Sequence, residues 1–122
     1  MVMATLTESR HAGEFIISEA NGHRSRDTVT VAAGNNLQAG HVVGALTAGG
    51  YAEYNPTNVD GSETPAGILF DAVDATDAAQ TGVILARDCE VTGADLAFFA
   101  GATEGEIETA AAALAELGII VR

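Results

Sequence analysis

The chain has 122 residues and a net charge of −12, built from 17 acids against five basic residues that are all arginine. The absence of lysine excludes chemistry resting on an ε-amine, such as a Schiff base or the phosphate lysine of a Walker loop, and the charge makes nucleic acid and anionic membranes poor partners. The length suits one domain, the lone Cys89 forbids an internal disulfide, and no run reads as a signal peptide or a membrane span, so a soluble protein of a reducing cytoplasm is expected.

Half of the chain is apolar by count, yet Ala supplies 24 of those residues. The predicted core is thin, which points to self-association as a source of stability. Charge also divides the chain. Residues 1–26 hold Arg10, Arg24 and Arg26 against Glu8, Glu14 and Glu19, whereas everything after them carries the whole net charge of −12. In the neutral part a short apolar island, Phe15-Ile16-Ile17, stands among polar residues and is followed by the turn pair Asn21-Gly22. Three residues do not found a core, so residues 1–27 are predicted to be an N-terminal arm, flexible when free, that orders on a partner. Residues 28–122 are predicted to be a β-rich domain.

Within that domain Thr28-Val29-Thr30-Val31 alternates as a half-buried strand does, and Gly34-Asn35-Asn36 reads as the turn that ends it. Residues 41–46 make a second predicted strand, and Tyr51-Ala52-Glu53-Tyr54 a short third with both rings on one face. The polar stretch 55–65 is predicted to be an exposed loop. Ala66-Gly67-Ile68-Leu69-Phe70 reads as a buried strand, residues 71–79 as an acidic connection, and 81–91 as a further strand bulged near Arg87. About six strands are expected, with residues 95–99 open between strand and turn.

The last third holds the clearest signal. Thr103 followed by Glu106 is a capping box, in which each residue's side chain meets the other's backbone N–H. Ile107, Ala110, Ala111, Leu114 and Leu117 recur at three- and four-residue spacing as one apolar stripe, and Gly118 supplies a left-handed stop, so a helix is predicted over 104–117. Residues 119–121 follow as a strand or extended tail.

No catalytic constellation emerges, and the chain is not expected to be an enzyme. His11, His23 and His41 have no metal-ligand spacing, and Asp71, Asp74 and Asp77 lack the alternate acids, sixth-position Gly and twelfth-position Glu of a calcium loop. Cys89 lies between Asp88 and Glu90, which disfavour a thiolate, and no serine sits in a Gly-x-Ser-x-Gly turn. No metal or cofactor is expected.

The order of the pieces nevertheless matches a known pattern. Residues 11–22 (HAGEFIISEANG), then Ser25-Arg26-Asp27 entering the first predicted strand, resemble the opening of the head decoration proteins of tailed phages and prophages, the lambda decoration protein group. Residues 37–44, Pro65-Ala66-Gly67-Ile68-Leu69, 87–91 and the terminal helix running into Gly118-Ile119-Ile120-Val121 are similar to the segments that follow there. The sequence departs from the lambda protein in lacking Trp and in its 55–64 loop. The resemblance implies an α+β, mainly β fold: a small β-barrel or β-tulip-like domain with one C-terminal helix and an extended arm. It implies homotrimers on the outer surface of the virion capsid at local three-fold sites, made in the bacterial host cytoplasm and bound to the major capsid protein through arm residues His11, Gly13, Glu14, Phe15, Ile16, Ile17 and Ser18. Thr103, Glu106, Ile107, Leu114, Leu117 and Gly118 would be structural. The alternative, from another class, is a small β-barrel ligand- or cation-binding module or enzyme domain using residues 71–77.

Overall fold

A computed structural model describes residues 10–122. Ten strands and one helix follow in chain order: β1 Ile16–Glu19, β2 Arg26–Val31, β3 Asn35–Leu37, β4 Val42–Ala45, β5 Tyr51–Glu53, β6 Gly67–Leu69, β7 Val73–Ala75, β8 Gln80–Leu85, β9 Cys89–Val91, α1 Glu104–Glu116 and β10 Ile119–Val121. The fold is mainly β. Strands β2-β5-β4-β6-β8 close into a barrel, β1-β9-β10 form a three-stranded sheet, and β3 pairs with β7. Closure removes the open edges that a five-stranded sheet would otherwise present.

Two clusters make the core, and adjacent residues of the barrel strands point into different ones. Val42, Ile68 and Leu85 pack with Phe15, Tyr54, Val91, Leu114 and Ile119, while Val43, Leu69 and Ile84 pack with Val31, Leu37 and Ala75. This is the period-two consequence of strand geometry. It explains why Ile68-Leu69 and Ile84-Leu85 read as unbroken apolar pairs: both faces of those strands are covered. The same periodicity corrects the expectation that Tyr51 and Tyr54 share a face. Three positions apart, Tyr51 joins the second cluster and Tyr54 the first.

Other expectations are redrawn. Asn35 and Asn36 belong to β3, whose partner β7 runs through the segment read as a connection, in register Asn35↔Ala75, Asn36↔Asp74 and Leu37↔Val73. Residues 81–91 are two strands, because Asp88 adopts φ 52° and breaks the extended run between β8 and β9. Residues 93–95 form a 3-10 turn, and Ala97 bridges His41 in parallel.

The helix starts at a complete capping box: Thr103 Oγ1 accepts from the Glu106 N–H at 3.2 Å, and Glu106 Oε1 accepts from the Thr103 N–H at 3.1 Å. It buries Ala110 and Leu114 only. Ile107 is half-buried and Leu117, past the last helical residue, is 38% exposed, so the predicted stripe is narrower than its spacing suggested. Gly118, at φ 86°, ends the helix and turns the chain into β10, which runs parallel to β9.

Candidate docking surface

The N-terminal segment is built from a tight turn and an edge strand. Gly13 adopts φ 67°, and its N–H donates to the Phe70 carbonyl at 3.0 Å. A Cβ at Gly13 would stand 2.7 Å from Phe70 Cε1, so the turn needs the missing side chain for both conformation and space. The turn drives Phe15 into the first core cluster, where it is fully buried, and its carbonyl accepts from the Thr92 N–H at 2.8 Å. Strand β1 then pairs antiparallel with β9, Ile16 opposite Val91, Ser18 opposite Glu90 and Glu19 opposite Cys89, with an irregularity between Ile16 and Ser18.

Residues 11–27 lie on the folded domain, because Phe15 completes the core and β1 satisfies its inner backbone groups on β9. Phe15 and Ile17 do not share a face. Phe15 belongs to the turn before β1, and the irregularity at Ile17 shifts the alternation, leaving Ile17 51% exposed. His11, Glu14 and Ser18 are exposed as well, and Ile16 is half-buried against the core. The turn after β1 is fastened by Ser25, whose buried hydroxyl accepts from the Ala20 N–H at 3.0 Å and donates to the Asp88 carbonyl at 2.9 Å. Arg26 pairs with Glu19 at 2.7 Å and stacks over the Phe70 ring at 4.1 Å.

The small sheet brings both ends of the described chain together. Its central strand is β9, and among the described residues β1 and β10 are its two edges. Across it Ser18, Glu90 and Ile120 lie in register, Ile120 is exposed, and Arg122 reaches Glu90 at 3.7 Å. With Ile17 beside them, these residues form a face with two aliphatic side chains among polar ones, and an edge strand on each side. Cys89 sits beneath it, nearly buried, its thiol pushed up to about 11 mainly by burial and further by Glu19 and Asp88, so it is a protonated core group at neutral pH.

A second concave feature lies where α1 meets the barrel. A groove of about 480 Å³ is lined by Arg10, Gln38 and His41 together with Leu96, Phe98 and Ile107. Arg10 donates to the Asp95 carbonyl, and His41 Nε2 stands 2.8 Å from Glu53 Oε2 without an acceptor in hydrogen-bonding line. Burial lowers the His41 pKa from its ordinary value against the opposing pull of Glu53, and Arg10 lowers it further.

No cation site assembles among the described residues: no group of three or more His, Cys, Asp or Glu side chains converges. Asp74 accepts from the Thr76 N–H and hydroxyl, and Asp71 accepts from the Ala72 N–H, so these carboxylates close local turns. Among the described residues no helix is long and apolar enough to cross a membrane.

A mainly β fold with a small barrel and one C-terminal helix is the architecture the resemblance implies, and a family model for the bacteriophage lambda head decoration protein D matches residues 5–119. The chain belongs to that family. No curated protein matches the chain significantly. Family membership makes it a structural component of the phage virion, associated with the capsid, and the decoration-protein segments noted at His11-Ala12-Gly13 and Ser25-Arg26-Asp27 acquire physical roles here: one is the Gly13 turn, the other the buried Ser25 clasp with the Arg26–Glu19 pair. Sequence reasoning passed over Ile120, Arg10 and Val59 as surface features. Ile120 had a signal, since a terminal Ile-Ile-Val strand buries alternate residues and exposes the middle one.

Proposed function

We propose that this decoration protein cements the expanded head as a trimer at local three-fold positions on the outer capsid surface, and that the N-terminal arm, residues 1–27, supplies its contact with the major capsid protein. The observation that carries the docking reading is the outer edge of β1, which pairs with no further described strand, beside the exposed Ile17, with the exposed Ile120 across the sheet on β10. A strand of the capsid protein added there gains main-chain hydrogen bonds along the edge, and the aliphatic side chains fill pockets in the partner. Of the arm residues, Glu14, Ile17 and Ser18 are exposed, as is His11, and Ile16 is half-buried, while Gly13 and Phe15 fix the strand from below. An acidic body agrees with an exterior site, since the packaged DNA lies on the other side of the shell.

The test is binding to expanded capsids stripped of decoration protein. Ile17→Asp and Ile120→Asp place charges at exposed positions that the fold tolerates, so melting should stay within about 1 kcal/mol of the parent. Co-sedimentation should show at least tenfold weaker binding for the double variant. Parental binding by that variant would place the contact elsewhere on the domain.

A further inference from the structure

The turn pair Asn21-Gly22 has a chemistry of its own. The backbone nitrogen that follows an asparagine can attack the side-chain amide carbon, and glycine hinders that attack least, because it has no Cβ beside the ring that forms. In a folded chain the reaction proceeds only where the two residues are loosely held. Residues 21–24, all exposed, join β1 to β2. The base of this turn is fastened, by the Ser25 clasp to Ala20 and Asp88 and by the Arg26 N–H, which donates to the His23 carbonyl at 3.1 Å. The pair itself is not. Among the described residues the Asn21 carboxamide and the Gly22 N–H make no hydrogen bond, and a Cβ at Gly22 would meet no atom within 4 Å.

Every other asparagine is held or blocked. Asn35 donates to the Ala32 carbonyl at 2.9 Å and accepts from the Glu53 N–H at 3.2 Å. Asn36 is paired within β3 and precedes the buried Leu37. Asn55 precedes Pro56, which has no N–H to give up, and Asn58 donates to Ser62 Oγ at 2.9 Å and precedes the branched Val59. The corresponding aspartate pair, Asp60-Gly61, is clamped at both residues. Asp60 Oδ1 accepts from the Ser62 N–H at 3.1 Å, and the Gly61 N–H donates to Glu63 Oε2 at 2.7 Å. The Ser62 hydroxyl and N–H also hold the Asp60 carboxyl below its ordinary value, so it stays ionised and resists a nucleophile.

We propose that Asn21 is a site of spontaneous covalent modification in the folded protein, converting through a succinimide to aspartate and isoaspartate. The Gly22 nitrogen loses its proton to solvent and bonds to Asn21 Cγ, the Cγ–Nδ2 bond breaks, and the amide nitrogen takes a proton from solvent and leaves as ammonia. Water then opens the ring at either carbonyl. Cleavage of the new bond to Cγ gives aspartate in the ordinary main chain; cleavage of the original peptide bond gives isoaspartate, with one extra carbon in the main chain. The net reaction consumes water and releases ammonia. Because Ala20 and Ser25 pin the base of the turn, the extra carbon is absorbed within residues 21–24, and β1 and β2 keep their places. Each event adds a negative charge to residues 1–26, whose formal charge is zero, just past the end of β1 at Glu19. The docking edge proposed above thus gains charge with age, while the modification itself does not depend on that reading.

Incubation of the full chain in mildly alkaline buffer, followed by trypsin and mass spectrometry, tests it without any capsid. Arg10 and Arg24 bound a fragment, residues 11–24, in which Asn21 is the sole asparagine. With time that fragment should yield two heavier isomers, each shifted by the mass difference between a hydroxyl and an amine, and an isoaspartate-specific methyltransferase should label one of them. The rate in the folded chain should lie within about tenfold of the rate in the same chain unfolded in guanidinium chloride, as a site that needs no opening of the fold requires. Gly22→Ala should slow the conversion at least tenfold, and Asn21→Gln, which leaves the backbone untouched, should abolish the mass gain in this fragment. A folded rate more than about tenfold below the unfolded one would mean that the turn protects Asn21, and would overturn the proposal. So would an undiminished rate in a folded Gly22→Ala protein, or a mass gain that persists in Asn21→Gln.

Discussion

At single positions the N-terminal turn is tightly constrained. Gly13 combines a positive φ with a contact of 2.7 Å between its would-be Cβ and the Phe70 ring. Gly13→Ala should therefore lose about 1–2 kcal/mol from the left-handed backbone alone, with more from displacing the ring. Phe15→Ala removes a fully buried ring and should cost about 3–5 kcal/mol, read as a drop in the denaturant midpoint at unchanged slope. His41 sets a pH dependence. Its folded pKa lies below its ordinary 6.5, chiefly through burial, with Glu53 pulling upward and Arg10 downward. The unfolded chain thus takes up the proton at higher pH than the folded one, so stability is full above 6.5 and falls as pH drops from there toward the folded value. Melting temperature should decline between pH 7 and 5.5, and His41→Gln should flatten that decline; an unchanged slope would assign it to other groups.

At the scale of elements, the helix gives the sharpest contrast between neighbouring leucines. Leu114 is fully buried and Leu117 is 38% exposed, so Leu114→Ala should cost about 2–5 kcal/mol and Leu117→Ala no more than about 1 kcal/mol. Thr103→Ala, which removes the capping hydroxyl, should fall near 1 kcal/mol. Thermal melts of the three variants check the ordering. The helix was legible because its signals are local: a cap, a period and a glycine stop within sixteen residues. The β2 alternation and the Ile68-Leu69 strand were legible for the same reason. Strands β3 and β7 were not, because three-residue strands with Asn or Asp inside carry turn-like composition and acquire strand geometry only by pairing with each other. Phe15 shows the same limit at the docking surface. An island of three apolar residues looked too small to found a core, and it founds none; one of the three completes a core built from residues 42–119, a contact that no local pattern announces. The exposed residues Ile17 and Ile120 become one surface only through the β1-β9-β10 register.

For the whole molecule, the packing sets where the chain can be cut. Removing residues 1–20 would delete Phe15 and β1 and uncover β9, so that truncated protein should melt far lower than the parent, whereas removing residues 1–9 keeps every described contact of β1 and the barrel. The N-terminal segment thus gives Phe15 to the core and, among the described residues, an edge strand to the small sheet, and a docking partner would extend a sheet already formed within the decoration protein. The most direct test is a cryo-EM reconstruction of expanded capsids saturated with the purified protein. Trimeric density is expected at local three-fold positions on the outer surface, with β1 and Ile17 against the major capsid protein and a capsid strand continuing the β1-β9-β10 sheet. Density in which that sheet faces solvent and another surface of the domain meets the shell would contradict it.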